Sequence, residues 1–134
     1  MTHSILITKY ILKILDSDVK LKKLIPMKSI YPIDAKQGSR FPFAVIQRNA
    51  VTCNYAKDGN YSDNVTFNII IADDNYIGSV TIADKMNEVL SGSGWRDSDN
   101  HIYVHDIRLQ TATEDIYNDT FLQQLTFTCN CDFI

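Results

Sequence analysis

The chain has 134 residues, a net charge of −3, 45% apolar residues and 22% charged residues. That size fits one domain spanning residues 1–134, which can bury about two thirds of its unfolded surface and needs no metal or disulfide to fold. The mild acidity offers no electrostatic footprint for a dedicated phosphate-backbone binder, and the three cysteines, an odd number, argue against a secreted disulfide framework.

The N-terminal stretch MTHSILITKYILKIL is apolar, but Lys9 and Lys13 break it, and nothing approaches the roughly 20 uninterrupted apolar residues of a membrane span. A soluble, cytoplasmically made protein without a membrane partner is expected. Residues 4–15 carry Ile7, Ile11, Ile14 and Leu15 on one stripe, widened by Leu6 and Tyr10, which predicts a helix. Asp18 can cap a second short helical turn carrying Leu21 and Leu24, ended by Pro26. The period then changes. Ile30–Tyr31–Pro32 reads as a short strand restricted by its proline to an edge or a strand end.

A polar elbow follows, DAKQGSRF, before Pro42 releases the chain into the apolar strand FAVIQRN. A long hairpin reverses at Asp58–Gly59, and Val65, Phe67, Ile69 and Ile71 alternate along its return strand. The next segment is an amphipathic helix with Ile82, Ala83, Met86, Val89 and Leu90 on one face. Asp73, Asp74 or Asn75 is available as its cap, and Gly92 as its close. Two long strands, 101–112 and 120–133, flank ATEDIYND, read as a turn region. In the last strand Phe121, Leu125, Phe127, Cys129, Cys131 and Phe133 share a face. The expected class is α+β: an antiparallel sheet of about five to six strands with two helices packed on one face.

Catalysis finds little support in these residues. His101 and His105 on a strand lie about 13 Å apart, too far for one ion, and Tyr103 and Val104 favour extended chain. Cys129 and Cys131 read as buried thiols. Asp73 and Asp74 read as helix-capping residues, while Glu114, Asp115 and Asp119 frame a turn. No phosphate loop or nucleophile elbow is present. The expectation is a protein that is not an enzyme, with no metal and no cofactor. Polar and aromatic residues gather instead in the hairpin, at Asn54, Tyr55, Lys57, Asp58, Asn60, Tyr61 and Asp63. Exposed tyrosines suit protein contact, and a solvated turn explains the same residues.

In order along the chain, IYPIDAKQGSRFPFAVIQ, a hairpin, a helix ending MNEVLSG, and EDIYNDTFLQQLTF resemble the tail-completion or tail-terminator family of long-tailed phages. The positions that carry the resemblance are Tyr31–Pro32, Gln37–Gly38, Pro42–Phe43, Asp115-x-Tyr117 and Asp119–Thr120. Lys36 stands where the family often has proline, and Gln123–Gln124 replace a common tyrosine–arginine pair. The resemblance implies a structural adaptor: a homo-oligomeric ring, commonly of six copies, that terminates the tail tube and joins it to the head.

Its implied partners are copies of itself, tail tube and head–tail connector proteins. DNA would pass through without specific binding, in a virion tail or neck assembled in a bacterial host's cytoplasm. The candidate assembly surface comprises Tyr31, Lys36, Gln37 and Arg40 in the elbow with Tyr55, Lys57, Asp58 and Tyr61 in the hairpin. The alternative is a small α+β module that binds a peptide or small molecule on the sheet face opposite the helices.

Overall fold

The computed structural model describes residues 3–134. Its helices are α1 (Ile7–Asp16), preceded by a 3-10 turn over Ser4–Leu6, α2 (Val19–Leu24) and α3 (Tyr76–Leu90). Its strands are β1 (Ile30–Pro32), β2 (Phe43–Ala56), β3 (Gly59–Asp73), β4 (Trp95–Asp97), β5 (Ile102–Tyr117) and β6 (Thr120–Phe133). They form one six-stranded sheet in the order β1-β2-β3-β6-β5-β4.

The α+β expectation holds in its class and needs two corrections. β1 runs parallel to β2, so the sheet is mixed rather than purely antiparallel. Among the described residues there are three α-helices rather than two, because Asp18 does start a separate helix: its carboxylate accepts from Leu21 N at 2.8 Å. Asn75 caps α3 in the same way, accepting from Gly78 N at 2.8 Å. Gly92, at φ +76°, turns the chain just past α3, letting Ser93 N reach Leu90 O at 3.0 Å while its own N–H donates to Ile107 O at 3.0 Å.

Period-two alternation decides which face each strand buries. Val65, Phe67, Ile69 and Ile71 of β3 and Leu125, Phe127, Cys129 and Cys131 of β6 turn inward beneath the helices. Ile7, Tyr10, Ile11 and Leu15 of α1 and Ile82, Met86 and Leu90 of α3 close the core from above. Phe67 and Phe127, which are cross-strand partners, stack at 5.3 Å between centroids. On the opposite face lie Thr66, Asn68, Thr126, Thr128 and Asn130, half-buried and polar, with Thr126 donating to Asn68 at 2.8 Å.

The segment ATEDIYND is strand rather than turn as far as Tyr117. The reversal takes only Asn118 and Asp119, both in the left-handed region at φ 49° and 59°, the geometry of a tight primed hairpin turn. Glu114 and Asp115 therefore sit on an exposed strand, not in a loop.

Candidate assembly surface

β2 runs from the elbow to the hairpin tip, and it separates the eight candidate residues into two groups. Tyr31 pairs with Val45, whereas Tyr55 lies ten positions further along β2, on the order of 30 Å away at strand rise. Tyr31, Lys36, Gln37 and Arg40 are brought together. Tyr55, Lys57, Asp58 and Tyr61 are brought together elsewhere.

The elbow is shaped by its own backbone. Ile33 adopts φ 67°, donates its N–H to Ile46 O at 2.9 Å, and throws the chain off the sheet. Gly38, at φ 78°, lets Ser39 N reach Lys36 O at 3.1 Å, closing a small turn. Phe41, joined to Pro42 by a cis peptide, stacks on Phe43 at 5.6 Å, and Tyr31 meets Phe43 edge-on at 6.4 Å. The result is a concave site of about 340 Å3 lined by Lys28, Tyr31, Lys36, Gln37 and Arg40. Three of those side chains are cationic. Lys28 comes from the 3-10 turn before β1, and its place here was not legible from the elbow sequence alone.

The hairpin tip presents Tyr55 and Tyr61, 71% and 57% exposed, on either side of the Lys57–Asp58 turn. Beneath it is a polar anchor. Asp63, expected among the solvated hairpin residues, is fully buried and accepts a hydrogen bond from Ser4 Oγ. Asn60 Nδ2 reaches Asn54 O, Ser62 O and Asp63 Oδ1 at 3.0, 3.1 and 3.0 Å. The Asp63 carboxylate also pushes the Cys53 thiol above its ordinary range. The burial was readable in the alternation, since Asp63 shares its phase with Val65 and Phe67.

Across the sheet, Tyr76 Oη donates to Glu114 at 2.9 Å and packs edge-on against Phe121 at 5.4 Å, holding that carboxylate at the rim of β5. The same contact raises the Tyr76 phenol above its usual range. Asp115 and Ile116 continue this rim, and Ile116 is 56% exposed. On the open face at the same end, Phe41, Phe43, Val45, Ile70 and Leu122 form an apolar groove of about 280 Å3. His105 bonds to Asp132 at 2.7 Å and stacks on Tyr103, while His101 lies in a turn at φ 54°.

No protein-family model matches the chain, and no curated protein matches it. Among solved structures, a chain from the virion of a native gene transfer agent particle superposes with a TM-score of 0.78 at 16% identity, over 92% of each chain. A second solved chain superposes with a TM-score of 0.71 at 10% identity, over 100% of this chain and 99% of the other. Each likeness is one of fold, running through nearly the whole length of both partners.

Proposed function

We propose that this chain is a structural component of a phage-like virion, acting as the ring that terminates a tail tube and joins it to the head. The observation that carries the reading is the fold shared along 92% of its length with a chain of a gene transfer agent virion. The residue pattern Tyr31–Pro32, Pro42–Phe43 and Asp119–Thr120, in its order and spacing, points the same way. On this reading the protein works by contact, without catalysis or cofactor. It meets copies of itself through heterologous patches, and tail tube and connector proteins through the ring's two ends.

Six copies at −3 each give a ring of −18, a charge that repels the DNA backbone and lets it slide through without being held. Deleting the gene in a producing strain is expected to leave heads and tails separate, with infectious or transducing particles lost. Negative-stain images of the purified chain with tail tubes are expected to show rings capping one tube end. Normal joined particles from the deletion strain would overturn the reading. A second reading, a peptide or small-molecule module, has the apolar groove at Phe41, Phe43 and Leu122 in its favour. It requires saturable ligand binding by a chain that never assembles.

A further inference from the structure

The sheet has a stepped outline. On one side, β1 covers β2 only at residues 44–46, and no strand among the described residues pairs with the outer edge of β2 over 47–56. On the other side, β4 covers β5 only at residues 102–104, which leaves 105–117 uncovered. The two covers lie at opposite ends of the sheet. Following the register across all strands, Ile30 is level with Ala44, Ile71, Gln123 and Glu114. Arg96 is level with Tyr103, Asp132, Ser62 and Asn54. Each edge is therefore raised where the other is recessed. A second copy placed alongside, without vertical shift, sets its β1 and elbow into the recess beside the first copy's β5, so that the first copy's β5 rim lies against that elbow. Meanwhile the β4 step of the first copy enters the recess beside the β2 of the second. Because β2 and β5 run in opposite directions, the two edges meet antiparallel.

The charges match that fit. The raised elbow side carries Lys28, Lys36 and Arg40 around one concavity. The recessed β5 side carries Glu114 and Asp115 at the same level, with Glu114 already oriented by Tyr76. Asp106 and Arg108, on the same strand, pair at 2.6 Å in a bulge where Asp106 takes φ 55° and also accepts from Asn130 Nδ2 at 3.2 Å. That bulge, and another between Leu109 and Thr111, interrupt the edge and discourage continuous strand pairing with arbitrary chains. Recognition is thus left to steps and side chains rather than to a bare ladder.

Resting on the ring reading above, we propose that neighbouring copies join head to tail through these edges, with the Lys28–Lys36–Arg40 concavity of one copy receiving the Glu114–Asp115 rim of the next. The occupant of the concavity is a second copy of this chain. Within one copy β1 and β5 are four strand spacings apart, roughly 19 Å along the sheet, and no ion pair among the described residues joins the two sites.

Zero-length carbodiimide coupling on an equal mixture of 14N- and 15N-labelled full-length protein tests this, read by mass spectrometry alongside sedimentation velocity up to millimolar concentration. Mixed-isotope links from Lys28 or Lys36 to Glu114 or Asp115 are expected. The double variants K36E/R40E and E114K/D115K are each expected to weaken assembly roughly tenfold, and the four changes in one chain to restore it. Circular dichroism melts establish that each variant folds, and restoration by the quadruple variant separates lost complementarity from damage. Rings that form with links elsewhere, and with both double variants assembling as the wild type, overturn this interface and leave the ring reading intact. A chain that stays monomeric at every concentration and on tail tubes overturns both.

Discussion

Tyr10 makes a polar contact between the helices and the sheet edge. Its ring is fully buried in the core, and its hydroxyl donates to Asp97 Oδ2 at 2.8 Å, tying α1 to β4. Hydrogen bonds from Asn100 and Tyr10 hold the Asp97 carboxyl down to about 2 from an ordinary 3.8, and burial pushes the Tyr10 phenol up. A carboxyl whose pKa is lowered by folding contributes stability above its unfolded value and loses it as pH falls through the folded one. Asp97→Asn is therefore expected to melt below the wild type at pH 6. The gap should narrow below pH 3.8 and close near pH 2. Thermal melts at those pH values check it, and a gap constant with pH would mean the carboxylate's charge plays no part. Asp63 poses the opposite case, a carboxylate with no exposed surface beneath a solvated tip. Asp63→Ala removes the acceptor that takes the Ser4 Oγ bond and one of the three acceptors of Asn60 Nδ2, and is expected to cost about 1–3 kcal/mol in chemical denaturation. Tyr55→Ala, 71% exposed, should leave stability within about 0.5 kcal/mol of wild type.

The elements differ in how plainly their residues announce them. The Asn118–Asp119 turn holds both residues in the left-handed region, where a side chain costs about 1–2 kcal/mol that glycine avoids. Asp119→Gly, which creates the favoured Asn–Gly turn, is expected to stabilise the hairpin by about 0.5 kcal/mol after glycine's greater unfolded-state entropy is counted. The melting temperature reports it. Gly94 tests β4 instead: a Cβ there would stand 2.7 Å from Val104 O, against backbone that cannot rotate away. Gly94→Ala should cost about 1–3 kcal/mol and speed amide exchange along Trp95–Asp97. Caps and periods made α1, α3, β3 and β6 legible, because a buried face leaves its spacing in the residues. β4 left no such trace, being three residues long with one side exposed. The outer half of β5 read as a turn because Thr113, Glu114 and Asp115 are exposed and leave no buried face in the spacing. Nor could the parallel pairing of β1 be derived, since Ile30–Pro32 is too short to carry a direction. Within the candidate surface, the elbow residues were found by their punctuation. Lys28 joins the picture only through the folded concavity and Glu114 only through register, neither of which adjacency in sequence encodes.

At the scale of the whole molecule, the core and the edges place different demands on the chain. Phe67 and Phe127 lie stacked at the centre of the sheet, so Phe127→Ala should destabilise by about 3–5 kcal/mol whatever the assembly state. The edges carry little of that stability. Residues 110–118 are exposed throughout, and amides there that point away from β6 have no strand to pair with among the described residues. Opening of such a ribbon costs far less than global unfolding, so in the isolated chain these outward amides should exchange close to the unprotected rate. If copies dock edge to edge, the rim at Glu114–Asp115 loses water to a neighbouring elbow, and exchange over 112–117 should slow at least about tenfold as assembly proceeds. Exchange at the Tyr55–Tyr61 tip reports separately on that end of the sheet, because it lies far along β2 from the elbow. Raised salt should reverse the slowing at 112–117 by screening the exposed charges that match the rim to the elbow. Protection that appears at the tip alone, and survives salt, would place the contact at the hairpin tyrosines instead.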